Sequence, residues 1–215
     1  MRQKLFLLIA LVVVLTLYAG QEFFTQEVLK KVEVKYGGQA KRRVESLNGL
    51  MLSLQASPEP EKLEKVNNFF NQMRFASDEE VWHQKDYWAT RMEFIGKGAG
   101  DCEDFVIAKY FITLKQLGIS TNKLFFTYVK AVKYQQAHMV LTYFETPTSV
   151  PLVLDNINFK ILPATQRSDL IPVYSFNGDA LYLAKQQGLG QIVPSGMEKN
   201  KKWFELVDKI RREGL

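Results

Sequence analysis

The sequence predicts an α+β protein of one domain, on three observations. Helical periodicity fills the first half of the chain, and short strand-like runs fill the second with no helices between them. The composition is that of an ordinary globular domain: of 215 residues, 47% are hydrophobic and 13% aromatic, enough to build a core without disulfide or metal staples. The 28 Lys and Arg against 23 Asp and Glu give a formal charge of +5. Because the basic residues are scattered among acids, nucleic-acid binding is excluded.

Taken in order, the chain opens with Arg2-Gln3-Lys4, an uncharged apolar run from Leu5 to Tyr18, and then Ala19 and Gly20. This is the layout of an export signal. The apolar run reaches only about 21 Å as a helix, short of a ~30 Å hydrocarbon core, which favours a cleaved signal peptide over a membrane anchor. Leu17 and Tyr18 stand where a cleavage site wants small residues, so both fates of residues 1–20 stay open. Residues 21–215 are expected to form the single domain.

Val44, Leu47, Leu50, Met51 and Leu54 recur at helical spacing within 39–54, as do Leu63, Val66, Phe69, Phe70 and Met73 in the next segment; Ser57-Pro58-Glu59-Pro60 punctuates the two. Phe105 to Leu117 is apolar on most sides and stops at Gly118, the pattern of a central buried helix. Five short runs rich in β-branched and aromatic residues follow, at 123–132, 138–144, 152–155, 159–162 and 171–176, and they predict an antiparallel meander. The tail predicts a helix near 180–187 and a basic amphipathic one over 201–212.

The chain has 1 Cys and 2 His. In an oxidising compartment a lone thiol is either buried and inert or kept for its reactivity. Cys102 follows the glycine-rich run Gly96-Lys-Gly-Ala-Gly100-Asp101, which fits neither phosphate-binding loop pattern in spacing or in following a strand. With Asp101 as N-cap, Cys102 takes the first helical position, where free N–H groups and the helix dipole favour a thiolate. Asp101, Glu103 and Asp104 oppose this, since acids within one turn raise a thiol pKa. A hard cation resolves the conflict, and these three supply the oxygen ligands that Ca²⁺ prefers.

Of the two candidate bases, His83 lies in a polar stretch beside Trp82, whereas His138 opens a strand. A hairpin whose paired numbers sum to 293 would set His138 directly opposite Asp155, with both side chains on one face. Thiol, imidazole and carboxylate then form the nucleophile, base and orienter of a cysteine hydrolase.

At these residues the sequence resembles the bacterial transglutaminase-like cysteine proteinases of the LapG type. The resemblance covers about residues 60–175 and is carried by Val66-Asn-Asn-Phe-Phe70, Asp86-Tyr-Trp88-Ala-Thr90, the stretch Gly98-Ala-Gly-Asp-Cys-Glu-Asp104 with its flanks, Ala137-His-Met-Val140 and Val153-Leu-Asp-Asn156. It implies a papain-like, transglutaminase-like fold with a helical lobe against a β-sheet lobe, and a triad of Cys102, His138 and Asp155. It further implies Ca²⁺ bound by Asp101, Glu103 and Asp104 and a periplasmic endopeptidase. Its substrate would be the N-terminal region of a large repeat adhesin, whose release disperses biofilm. Its inhibitory partner would be the periplasmic domain of an inner-membrane cyclic di-GMP receptor. Trp82 and Trp88 flank a polar segment before the cysteine loop, and indoles are favoured interface anchors, so Trp88 is expected on the surface that the receptor docks. Two other functions remain in view: acyl transfer to an amine, as in true transglutaminases, and an inactive periplasmic binding protein in which Cys102 is only packing.

Overall fold

A computed structural model describes residues 22–213; the export segment expected at 1–20 lies outside them. Helix α1 (Gln26–Tyr36) is capped by the Thr25 hydroxyl, which accepts from the Val28 amide at 3.3 Å. After Gly37, α2 (Gly38–Leu54) buries Ala40, Val44, Leu47, Met51 and Leu54 on one stripe, the positions its periodicity marked. Helix α3 (Glu59–Phe70) starts behind Pro58, carries Pro60 in its first turn where no donor is lost, and buries Leu63, Val66, Asn67 and Phe70. A short α4 (Asp78–Trp82) and α5 (Arg91–Lys97) follow, the latter closed by a reciprocal Thr90–Glu93 capping box. Strand β1 (Arg74–Phe75) pairs in parallel with β2 (Ala99–Gly100) immediately before α6 (Cys102–Ala108).

The buried helix thus begins at Cys102. Its second half, Lys109–Leu114, is a π-helical turn in place of the uniform α-helix expected to Leu117. Strands β3 (Leu124–Ala131), β4 (Gln136–Tyr143), β5 (Leu152–Leu154), β6 (Leu162–Pro163), β7 (Leu170–Phe176) and β8 (Leu181–Leu183) form an antiparallel sheet of order β6-β5-β4-β3-β7-β8. The meander therefore holds from β3 to β6, and β7 then returns to the free edge of β3. The fourth run pairs only at Leu162–Pro163, with Phe159 in a loop. The helix expected near 180–187 is corrected to β8, because Leu181, Tyr182 and Leu183 pair with β7 along its edge. Helix α7 (Lys201–Glu213) matches the amphipathic tail.

Sheet faces follow from the register. Met139, Leu141 and Leu154 join the main core with the helices, while Val129, Ala131, Val140, Val153 and Leu170 form a smaller cluster on the other face. The main core is aromatic at its centre: Phe126 stacks on Phe176 at 5.1 Å, and Trp203 of α7 meets Phe111 at 5.4 Å and Phe176 at 5.7 Å. Among the described residues no helix is long and apolar enough to cross a membrane.

Candidate active site

Cys102 is held by a loop whose glycines have separate reasons. Gly98 ends α5 at φ 67, a left-handed cap position. Gly100 lies so close to Asp104 that a Cβ there would stand 2.3 Å from Oδ2. The chain then enters α6 with Asp101 as N-cap in an extended conformation, yet the Asp101 carboxylate caps no amide. It turns toward Glu103 instead.

The thiol is half-buried. Its Sγ donates to Glu103 Oε2 at 2.8 Å and meets the backbone amide of Met139, the residue after His138. Burial pushes the thiol pKa well up, and the charges of Glu103 and Asp101 add to the shift, the direction the acidic turn predicted.

His138 is buried on β4, on the sheet face of the smaller cluster, and its Nε2 lies 2.8 Å from Asp155 Oδ1. The two are brought together by a register different from the one expected. Leu141 pairs with Leu154 and Thr142 with Val153, so paired numbers sum to 295. The extra two residues are taken up where Thr146–Ser149 folds into a turn closed by the Ser149 hydroxyl on Thr146 O at 2.8 Å. A slip of two preserves the face, which makes His138 and Asp155 diagonal neighbours within reach rather than directly opposed.

Asp155 is the most elaborately held carboxylate of the structure. Oδ1 also accepts from the Ile157 amide at 3.0 Å, Oδ2 accepts from Arg167 Nη2 at 2.6 Å, and the Asp155 carbonyl accepts from Asn71 Nδ2 at 2.7 Å. Asn71 is in turn bonded by Lys109 Nζ at 2.9 Å. Desolvation would raise the Asp155 pKa, but the His138 and Arg167 partners outweigh it and hold the group well below the usual carboxylate range. Burial holds the fully enclosed Lys109 down to about 7. Arg167, Asn71 and Lys109 were not foreseen. Nothing local separates Arg167 from other surface-type arginines, and Lys109 sits unremarked in an apolar helix.

A second cluster lies beside the thiol. Oxygens of Asp78, Asp101 and Asp104 all fall within 4.8 Å of one another, and a similar set joins Asp101, Cys102 and Glu103. Asp78 Oδ1, Asp101 Oδ1 and Asp104 Oδ2 are buried with no hydrogen-bond partner. Two of them are also tied to the segment before α5: Asp78 accepts from the Tyr87 amide and Asp104 Oδ1 from the Ala89 amide at 2.8 Å. Burial first, then Glu103 and Asp104, push Asp101 up to about 9; burial pushes Asp104 up to about 8 and raises Asp78. Two buried carboxylates and a half-buried one, each with a buried unpaired oxygen, are a costly arrangement for a protein alone and a fitting one for a hard divalent cation. Of the expected ligands, Asp101 and Asp104 converge directly, and Glu103 stands at the edge on the thiol side. Asp78 was missed because it opens a different helix, where a run of acids reads as a cap.

Trp88 is corrected. It is 4% exposed and stacks on Phe176 with centroids 6.4 Å apart, so its indole serves the core and presents no face to a partner. Trp82 is half-buried against Tyr87, and His83 is an exposed residue ending α4 at φ 56.

The model of the bacterial transglutaminase-like cysteine proteinase family matches residues 42–169. Among solved structures, calcium-bound LapG of Legionella pneumophila is 41% identical with a TM-score of 0.73, the match covering 86% of this chain and 98% of that one. A second LapG structure from the same organism is 40% identical, and an EGTA-treated one 39%; each match has a TM-score of 0.73 and covers 88% of this chain and 99% of the other. No curated protein matches.

Proposed function

Starting from the fact that the chain belongs to the bacterial transglutaminase-like cysteine proteinases, we propose that it is a calcium-dependent periplasmic endopeptidase with Cys102, His138 and Asp155 as its triad. In this reading it cuts the N-terminal region of a large surface adhesin and is restrained by the periplasmic domain of a cyclic di-GMP receptor. The observation that carries the chemistry is the thiol at the start of α6, which meets the backbone amide of Met139 on β4, where the preceding residue His138 has its Nε2 bonded to a buried carboxylate.

With Nε2 held by Asp155, the ring nitrogen left for the thiol proton is Nδ1. Cys102 Sγ attacks the scissile carbonyl carbon as its proton passes to Nδ1, and the tetrahedral adduct collapses when the imidazolium returns that proton to the leaving amine. Water, deprotonated by the same nitrogen, then opens the thioester. Asp155 keeps the ring oriented and offsets the imidazolium charge. Asp78, Asp101 and Asp104 would hold the ion, with Glu103 adjoining. When bound, calcium supplies positive charge beside the nucleophile, where the acids otherwise oppose a thiolate. The calcium-bound relative supports the choice of ion. Export rests on the pattern of residues 1–20, and the adhesin and receptor rest on the family resemblance.

The test is incubation of the protein, with calcium, with the N-terminal fragment of a large repeat adhesin from the same genome. One cut with a new amino terminus is expected, lost in Cys102→Ala and slowed about a thousandfold or more in His138→Ala. The double variant should be scarcely slower than either. Cleavage that survives Cys102→Ala, or incorporation of a labelled amine in place of hydrolysis, would overturn the reading.

A further inference from the structure

We propose that Arg167 is a positioning residue for the reaction, acting on the base His138 through Asp155; this rests on the cysteine-protease reading above. Arg167 is itself buried, 2% exposed, on a segment that follows β6. Its Nη2 bonds Asp155 Oδ2 at 2.6 Å, while His138 Nε2 and the Ile157 amide share Oδ1 at 2.8 and 3.0 Å. Each carboxylate oxygen therefore has its own anchor, and the group cannot turn without breaking a charge-assisted bond.

The guanidinium is fixed at its far side. Nε bonds Asp169 Oδ1 at 2.9 Å and Nη2 bonds Asp169 Oδ2 at 2.8 Å, a two-point grip on a residue that is 47% exposed on its side chain. The ionisable groups that face Asp155 are His138, Arg167, Asp169 beyond the guanidinium, and the enclosed Lys109, which reaches the Asp155 carbonyl through Asn71. Of these, Arg167 is the one bonded to the carboxylate oxygen that His138 does not use. A mere structural ion pair would have no reason to terminate on the residue that orients a catalytic ring. The charges beside the thiol, Glu103 and Asp101, act on Cys102.

The experiment compares Arg167→Gln, Arg167→Lys and Asp169→Asn with the parent chain in calcium. The first readout is the low-field imidazole N–H proton of His138 by NMR. It is assigned by its loss in His138→Gln, the chain having 2 His. The second is the split of kcat from KM on the cleaved adhesin fragment. Arg167→Gln should broaden or abolish the N–H signal and lower kcat about ten- to a hundredfold with KM little changed, the usual scale for partners that orient a site residue. Arg167→Lys, which keeps a cation at Oδ2, should restore most of both. Should Arg167→Gln fail to fold, Asp169→Asn decides, because it loosens the guanidinium from an exposed position; a broadened signal and a severalfold loss of kcat are expected. A folded Arg167→Gln, or failing that Asp169→Asn, with the parental signal and kcat overturns the proposal. Absence of thiol-dependent cleavage in the parent would sink the protease reading, whereas the NMR readout, which needs no substrate, still decides whether Arg167 positions His138.

Discussion

At the scale of single residues, the chemistry depends on where unpaired oxygens and protons sit. Asp78 accepts the Tyr87 amide with one oxygen and offers the other to the space shared with Asp101 and Asp104. Asp78→Asn keeps an acceptor for the amide and removes one of three like charges. Calcium affinity should therefore fall at least about tenfold, since affinity tracks ligand charge, while at pH 9, where Asp101 and Asp104 ionise, the ion-free protein should melt higher than the parent because repulsion is relieved. Titration calorimetry and melting in EGTA check the two halves. If affinity and the ion-free melting temperature are both unchanged, Asp78 is an ordinary helix-start acid.

At the scale of elements, the start of α6 is set by backbone rather than by side-chain capping. The β1–β2 bridge ends at Gly100, and the absence of a side chain there lets Asp104 fold back against the loop. Because a methyl group would stand 2.3 Å from Asp104 Oδ2, Gly100→Ala must displace that carboxylate. The expected result is calcium binding about ten- to a hundredfold weaker, the scale on which disturbed metal supports act, with the far-ultraviolet circular dichroism of the fold retained. Unaltered calcium binding in a folded Gly100→Ala would place the ion elsewhere. The hairpin β4–β5 makes the complementary point: its turn sets the register, and a two-residue difference from the simplest pairing still delivers His138 and Asp155 to one face.

At the scale of the whole molecule, the acidic cluster couples ion, proton and fold. Unfolded aspartates titrate near pH 4, whereas in the fold Asp101 is pushed up to about 9 and Asp104 to about 8. Between those limits the folded chain binds more protons than the unfolded one, so the stability of the ion-free protein falls as pH rises from about 4 through 9. In EGTA the melting temperature should decline steadily from pH 5 to 9. With calcium the decline should flatten, because the cation replaces the protons and binds only the folded state. Equal slopes with and without calcium would mean that these carboxylates are not its ligands.

Much of this was legible before any coordinates. Helices α2, α3 and α7 follow from periodicity, because one face of each is buried and burial writes itself into sequence as spacing, while strands β3, β4 and β7 follow from their runs of β-branched and aromatic residues. Cys102, His138 and Asp155 were nameable because residue type limits the choice: 1 Cys and 2 His leave few triads. What sequence could not carry were the relations between distant segments. Asp78 meets Asp101 across more than twenty residues, Arg167 reaches Asp155, and Trp88 turns inward onto Phe176 rather than outward. The physical reason is that local pattern records which face of an element is dry, whereas a buried charge or ring acquires its role from the particular partner that packing brings to it.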